Sequence, residues 1–216
     1  MMVNQPIIMG VLNITPDSFS DGGLFLDTMS AVTQAQLMVT EGAGIIDIGG
    51  ESSRPGAPEV SSDDELRRVM PVIEALYGNI DVPISIDTSK PIVMKEAFAA
   101  GASIVNDVNA LRSEGALQMA AELGADVCLM HMQGNPRTMQ ANPTYDNVVQ
   151  DVKEFFHERI AACKSVGIQL SSITIDPGFG FGKNLGHNIA LLKNLSEFHD
   201  FGVSILAGLS RKSMIG

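Results

Sequence analysis

Short apolar runs rich in β-branched residues alternate along the chain with longer stretches of helical period, a pattern that predicts βα units around a parallel sheet. Seven runs read as strands: 7–14, 44–48, 84–87, 103–106, 127–131, 173–176 and 203–207. The helical stretches between them carry start and stop signals. One opens at Asp27 or Thr28 and ends near Glu41-Gly42, and Ser61-Ser62-Asp63-Asp64-Glu65 caps a second. Ser89-Lys90-Pro91 places proline in the first turn of a third, which Gly101 follows. Further helices fit 115–123, 145–166 and 187–198, and neither linker nor repeat interrupts the series.

Polar groups follow every predicted strand. They are Asn13 with Thr15 and Asp17, Asp47 with Glu51, Ser53 and Arg54, Asp87 with Thr88, Asn106 with Asp107, His131 with Gln133, Asp176, and Ser210-Arg211-Lys212. A parallel barrel gathers such strand ends on one face, where its enzymes keep their active sites. A doubly wound open sheet is the alternative, but it concentrates function at one switch point rather than at all strand ends. The expected fold is therefore α/β: a (β/α)8 TIM barrel over residues 1–216 as a single domain, with about seven βα units. Eight units typically need about 250 residues, so 216 is slightly short.

Composition narrows the function. A net charge of −11 with scattered Lys and Arg argues against a nucleic-acid partner. A small anionic substrate stays compatible, because local cations, amides and a metal ion outweigh the average charge inside a pocket. The amino-terminal segment has no basic region, and its apolar run is too short to span a membrane. Cys128 in an apolar run and Cys163 in a helical pattern read as reduced core thiols of a cytoplasmic protein.

Asp87 and Asp176 end apolar strands, so their carboxylates need partners and suit a ligand rich in N–H donors. Asn106 both donates and accepts, which fits the edge of a heterocycle, and Lys212 adds a cation. Each taken singly has a structural alternative in capping, salt bridging or a solvated helix start. The run Gly178-Phe179-Gly180-Phe181-Gly182-Lys183 fails the phosphate-loop spacing, because Pro177 and Asn184 stand where Gly and Ser or Thr are needed. It reads instead as a flexible loop with Phe181 available to cover a planar ligand. Loops 15–26 and 50–60 are long enough to carry function. His131 lacks a second His or Cys at zinc spacing and reads as structural or pocket-lining.

From Asn13-Ile14-Thr15-Pro16-Asp17-Ser18-Phe19 through Gly49-Gly50-Glu51-Ser52-Ser53-Arg54-Pro55-Gly56 and Asp87-Thr88-Ser89-Lys90-Pro91, the chain resembles the dihydropteroate synthase family. The resemblance continues through Asn106-Asp107, Met130-His131-Met132-Gln133-Gly134, Asp176 to Lys183 and Ser210-Arg211-Lys212-Ser213. It implies condensation of 6-hydroxymethyl-7,8-dihydropterin diphosphate with 4-aminobenzoate, and inhibition by sulfonamides. It also implies that Asp87, Asn106, Asp176, Lys212, Met130 and Phe181 hold the pterin, with Phe19, Ser53, Pro55, Ser210 and again Phe181 around the aminobenzoate. Asp87, Lys212 and Arg54 would serve the reacting centre, and Asn13 the Mg2+ and diphosphate site.

Two departures from the family pattern carry expectations. Ser53 stands where many relatives have Thr, so Ser53→Thr should modestly change affinity for aminobenzoate or sulfonamide; identical affinities would remove the idea. The family continues through an eighth strand with an Arg-x-His motif that is absent here, which makes a fragment of a longer, homodimeric parent the expectation. Other readings are a methyltransferase passing a methyl from methyltetrahydrofolate to a corrinoid, and an inactive pterin-binding remnant. Formation of dihydropteroate separates the synthase from both.

Overall fold

The computed structural model describes residues 5–14, 23–52, 56–134, 139 and 143–210. They fall into two compact units, the first drawn from 1–52 and 59–105 and the second from 53–58 and 106–216.

The first unit contains β1 (Ile8–Asn13), α1 (Gly23–Thr40), β2 (Ala43–Gly49), α2 (Ser62–Leu76), β3 (Ile84–Asp87) and α3 (Pro91–Ala99). Its strands are neighbours in chain order and pair in parallel. That order departs from the reversal a doubly wound sheet requires and matches progressive winding. Ile46, Ile48 and Ile86 of the strands and Val69, Val72, Ile73, Leu76, Val93 and Met94 of the helices have no exposed surface. Each such side chain contributes about 1.5–3 kcal/mol of burial, so the helices are fixed against the strands that carry the polar ends. The predicted cap of α2 is present: the Ser61 hydroxyl accepts from the Asp64 amide at 3.1 Å, with Asp63, Asp64 and Glu65 in the first turn.

β4 (Ile104–Asp107) carries the chain into the second unit, which continues with α4 (Ala116–Glu122), β5 (Asp126–Met130), α5 (Val148–Ser165), β6 (Ile173–Asp176), α6 (Leu185–Lys193) and β7 (Ser204–Ile205). Here β5, β6 and β7 are again parallel neighbours in chain order. Phe156, Phe179, Phe198, Leu129 and Ile175 form its buried interior. The side chain of Asn147 caps α5 and that of Asn184 caps α6, each accepting from amides of the first turn.

Two helix expectations need correction. α1 begins at Gly23, four residues before Asp27, so the loop expected over 15–26 ends inside a helix. The stretch expected as one helix over 187–198 is α6 followed by a tighter 3-10 segment, Leu195–Phe201, which Gly202 ends in the left-handed region. Tight turns bring Phe198 into the interior, where it meets Phe156 edge to face at 6.1 Å.

Candidate active site

In the first unit the parallel register aligns Asn13 with Gly49 and Gly49 with Asp87, so three strand ends form one row. Gly49 leaves an opening between its neighbours. A Cβ placed there would lie 3.5 Å from both Asn13 Oδ1 and Asp87 Oδ2. The amide and the carboxylate therefore border the same opening, one as a hard neutral oxygen, the other as a half-exposed acceptor. Asp47, expected among the strand-end groups, lies two residues inside β2 and is buried. Its Oδ1 accepts from the Ser85 hydroxyl at 2.6 Å, across the register pair Asp47–Ser85. This bond supports the same face one layer below the row.

The chain leaving β2 is anchored at once. Arg68 of α2 donates to the Gly50 carbonyl at 2.7 Å. Lys90, at the start of α3, binds both Glu51 and Glu65 through its ammonium. Glu65 has no exposed surface, and its Oε1 has no hydrogen-bond partner among the described residues. Burial works against the Lys90 charge, but hydrogen bonds and attraction from Glu51 and Glu65 outweigh it and leave its pKa raised. The segment that begins at Glu51 thus starts from a fixed point.

In the second unit Asp176 closes β6 in register with Met130 of β5. It is buried, and its Oδ1 accepts from the Gly178 amide at 2.8 Å. The glycine-rich run after it is held at several points, in contrast to the flexible loop expected from sequence. The Asn188 side chain accepts from the Gly180 amide at 2.8 Å and donates to the Lys183 carbonyl at 3.3 Å. Tyr145 donates to the Gly182 carbonyl at 2.8 Å. Lys183 itself is 3% exposed, turned under its own loop toward His131.

His131 is 6% exposed, with the Phe155 ring edge-on at 4.9 Å. Its burial, then the neighbouring charges of Lys183 and Arg112, push its pKa down to about 2. The ring is neutral at physiological pH, and its Nδ1 lies 2.9 Å from the Lys183 ammonium. An ammonium can only donate, so Nδ1 accepts and the proton sits on Nε2. That is a structural role, as the lone-histidine reading expected.

Asn106 is half-buried at the end of β4. Asp107 beside it is fully buried and holds the next turn by accepting from the amides of Asn109 and Leu111, both at 2.8 Å. In that turn Ala110 and Leu111 adopt positive φ, 53° and 57°, a conformation that costs residues with side chains energy. Arg159 of α5 donates to the carbonyls of both, at 2.9 and 3.3 Å. Met130, Met132 and Met139 form a small buried cluster against which Val108 and Phe181 pack. Phe181 thus packs on the cluster to which Met130 belongs, and it retains partial exposure.

Ser210 occupies an exposed turn after β7. Phe19, Ser53, Arg54, Pro55 and Lys212 lie outside the described residues. Sequence reasoning overlooked Glu65, Lys90, Arg159, Lys183 and Asn188. For two of them a signal existed: Glu65 falls on the buried stripe of α2 with Val69, Val72, Ile73 and Leu76, and Arg159 falls on that of α5 with Val152, Phe156 and Cys163. A charge on an apolar stripe announces a buried partner.

A family model described as pterin binding enzyme matches residues 9–216. The dihydropteroate synthase of Escherichia coli is 56% identical over 214 residues, covering 99% of this chain and 76% of that protein. The crystal structure of the Yersinia pestis dihydropteroate synthase with a sulfonamide drug superposes with a TM-score of 0.93 at 52% identity, covering 100% of this chain and 78% of that one. The Xanthomonas albilineans dihydropteroate synthase with 4-aminobenzoic acid gives a TM-score of 0.92 at 50% identity, covering 99% and 76%. With strands in chain order and relatives this close, the fold is a β/α barrel of the TIM type, and the described residues carry seven of its strands. The chain belongs to the pterin-binding enzyme family, among the dihydropteroate synthases.

Proposed function

We propose that this chain is a transferase of folate biosynthesis that condenses 6-hydroxymethyl-7,8-dihydropterin diphosphate with 4-aminobenzoate, releasing dihydropteroate and diphosphate. The observation that carries the reading is the 56% identity to a dihydropteroate synthase over 99% of the chain. Sulfonamides, which resemble the aminobenzoate, are the expected inhibitors. The purified chain incubated with both substrates should form dihydropteroate and diphosphate in equal amounts. A folded chain that forms neither would overturn the proposal.

The chemistry asks little covalent work of the protein. The bond from the pterin methylene to the diphosphate oxygen breaks, the oxygen keeps the electron pair, and positive charge develops on the methylene. The aminobenzoate nitrogen supplies a pair to that carbon and loses a proton. Carboxylates of Asp87 and Asp176 accept ring N–H groups and stabilise the developing charge, while Asn106 reads the ring edge. Lys212 and Arg54 serve the ring and the leaving group, and Phe19, Ser53, Pro55, Phe181 and Ser210 hold the aminobenzoate, so that catalysis is mainly orientation. A hydrogen bond to a charged group is worth about 1.5–3 kcal/mol. Asp87→Asn and Asp176→Asn should each therefore lower kcat/KM about 10- to 100-fold with an unchanged melting temperature. Wild-type kinetics in either variant would remove that residue from the site.

Mg2+ is proposed at Asn13. The donor chemistry fits: magnesium takes hard oxygens, keeps several waters and is commonly completed by substrate phosphates, and Asn13 Oδ1 is such an oxygen beside the Gly49 opening. When bound, the ion would offset charge on the departing diphosphate. Calorimetry with inorganic diphosphate should show tighter binding when Mg2+ is present, and Asn13→Ala should weaken that gain. An equal affinity with and without the ion argues against it.

A homodimer is proposed from α6, where Leu185, Ile189 and Leu192 are exposed at helical spacing. Sedimentation of the chain would show a monomer if this is wrong. Among the described residues no helix is long and apolar enough to cross a membrane, and two cysteines, both buried, are too few for a disulfide-dense exported scaffold and support a cytoplasmic location. Fractionation of cells producing the protein tests that placement.

A further inference from the structure

The glycine-rich run 178–183 has the composition of a loose loop, yet one buried cation organises it. The Lys183 ammonium shares its three N–H groups among four acceptors, the Gly178 carbonyl at 3.0 Å, the Phe181 carbonyl at 2.9 Å, the His131 carbonyl at 3.1 Å and His131 Nδ1 at 2.9 Å. Two acceptors belong to its own loop, the other two to the residue that follows β5. The approach of the two segments is close enough to demand glycine: a Cβ on Gly178, whose φ is +69°, would stand 2.0 Å from the His131 carbonyl oxygen.

We propose that Lys183 is a positioning residue that fixes Phe181, and with it the turn after Asp176, in the conformation that receives the substrates. This inference rests on the proposed function, since Phe181 and Asp176 are its substrate contacts. Lys183 acts only through them: its nitrogen lies beneath the loop with 3% of the residue exposed, and the Phe181 carbonyl it holds belongs to the residue whose ring packs on the Met130, Met132 and Met139 cluster. A compact ammonium with donors radiating from one point satisfies acceptors in several directions, which a planar guanidinium does not. Without it, a run with glycine at 178, 180 and 182 would sample many conformations, and ordering it would weaken every binding event that needs Phe181 in place.

The test compares Lys183→Met, His131→Leu and His131→Asn with the wild type, by steady-state kinetics and by calorimetry with pteroic acid, which spans both rings. Lys183→Met should raise KM for aminobenzoate about tenfold and weaken pteroic acid similarly, while kcat changes less than about threefold, the pattern of lost ground-state positioning. His131→Leu removes one of four partners and should produce a smaller rise. His131→Asn places an oxygen near the former Nδ1 and should restore most of it. Wild-type KM and affinity in a folded Lys183→Met, or a loss confined to kcat, would overturn the proposal. If Lys183→Met does not fold, the histidine pair decides: equal effects of Leu and Asn refute it, and rescue by Asn alone supports it. A wild type that neither turns over nor binds pteroic acid refutes the proposed function itself, and this inference with it.

Discussion

Lys90 joins a wholly buried carboxylate, Glu65, to Glu51 at the root of the 51–60 segment. Removing the cation leaves Glu65 charged, buried and unpaired, a change that typically costs about 3–5 kcal/mol. Lys90→Met should lower stability to urea by that order, and an unchanged transition would show the triad to be dispensable. The pH response follows from the direction of the Lys90 shift. Its pKa is raised above 10.5 in the folded chain, so its contribution is complete below the unfolded value and declines as pH climbs through the folded one. Arginine does not deprotonate in that range. Melting curves recorded on the alkaline side should therefore show Lys90→Arg losing less stability than the wild type; parallel losses would contradict this. Little of the triad was legible beforehand, because Glu65 sits in a capping sequence and reads naturally as a first-turn acid. Only its position on the apolar stripe of α2 tells against a purely exposed role.

At the scale of elements, strands were the most legible features, and 84–87 and 173–176 were read to the residue. Their apolar β-branched runs are short and end at an Asp that cannot extend the core. The turn after β4 was invisible for the opposite reason. Ala110 and Leu111 have no intrinsic preference for positive φ, so nothing local predicts it; Asp107 and Arg159 impose it from either side. Replacing Arg159 with Leu would strand two buried carbonyls at about 1–3 kcal/mol each. We expect Arg159→Leu to lose about 2–5 kcal/mol and to raise the pterin KM more than the aminobenzoate KM, because Asn106 precedes this turn. Hydrogen exchange at the Leu111 amide should accelerate in the variant. Protection equal to the wild type would mean that Asp107 alone sets the turn.

For the whole molecule, the barrel was legible because polar residues recur after every apolar run, a rhythm that strand-end chemistry imposes on sequence. The supports of the site were less so, since Lys90 binds Glu51 and Glu65 and Lys183 ties its loop to His131, contacts distant in sequence. One property of the whole chain bears directly on catalysis. Its net charge is −11, yet the proposed pterin substrate is a diphosphate anion, so long-range repulsion should slow encounter while cations at the site retain the bound ligand. Screening lengths shrink from about 30 Å at 0.01 M ionic strength to about 8 Å at 0.15 M. Added salt should therefore weaken the repulsion felt at a distance more than the contacts within the pocket. We expect kcat/KM for the pterin diphosphate to rise, by about two- to fivefold, over that range in an inert salt with Mg2+ held constant. Aminobenzoate, a monoanion, should show a smaller rise. Viscosity dependence checks the assignment, because only an encounter-limited kcat/KM slows in proportion to added viscogen. A fall in kcat/KM with salt would place the dominant field at the mouth of the site, with local cations steering the diphosphate in against the charge of the rest.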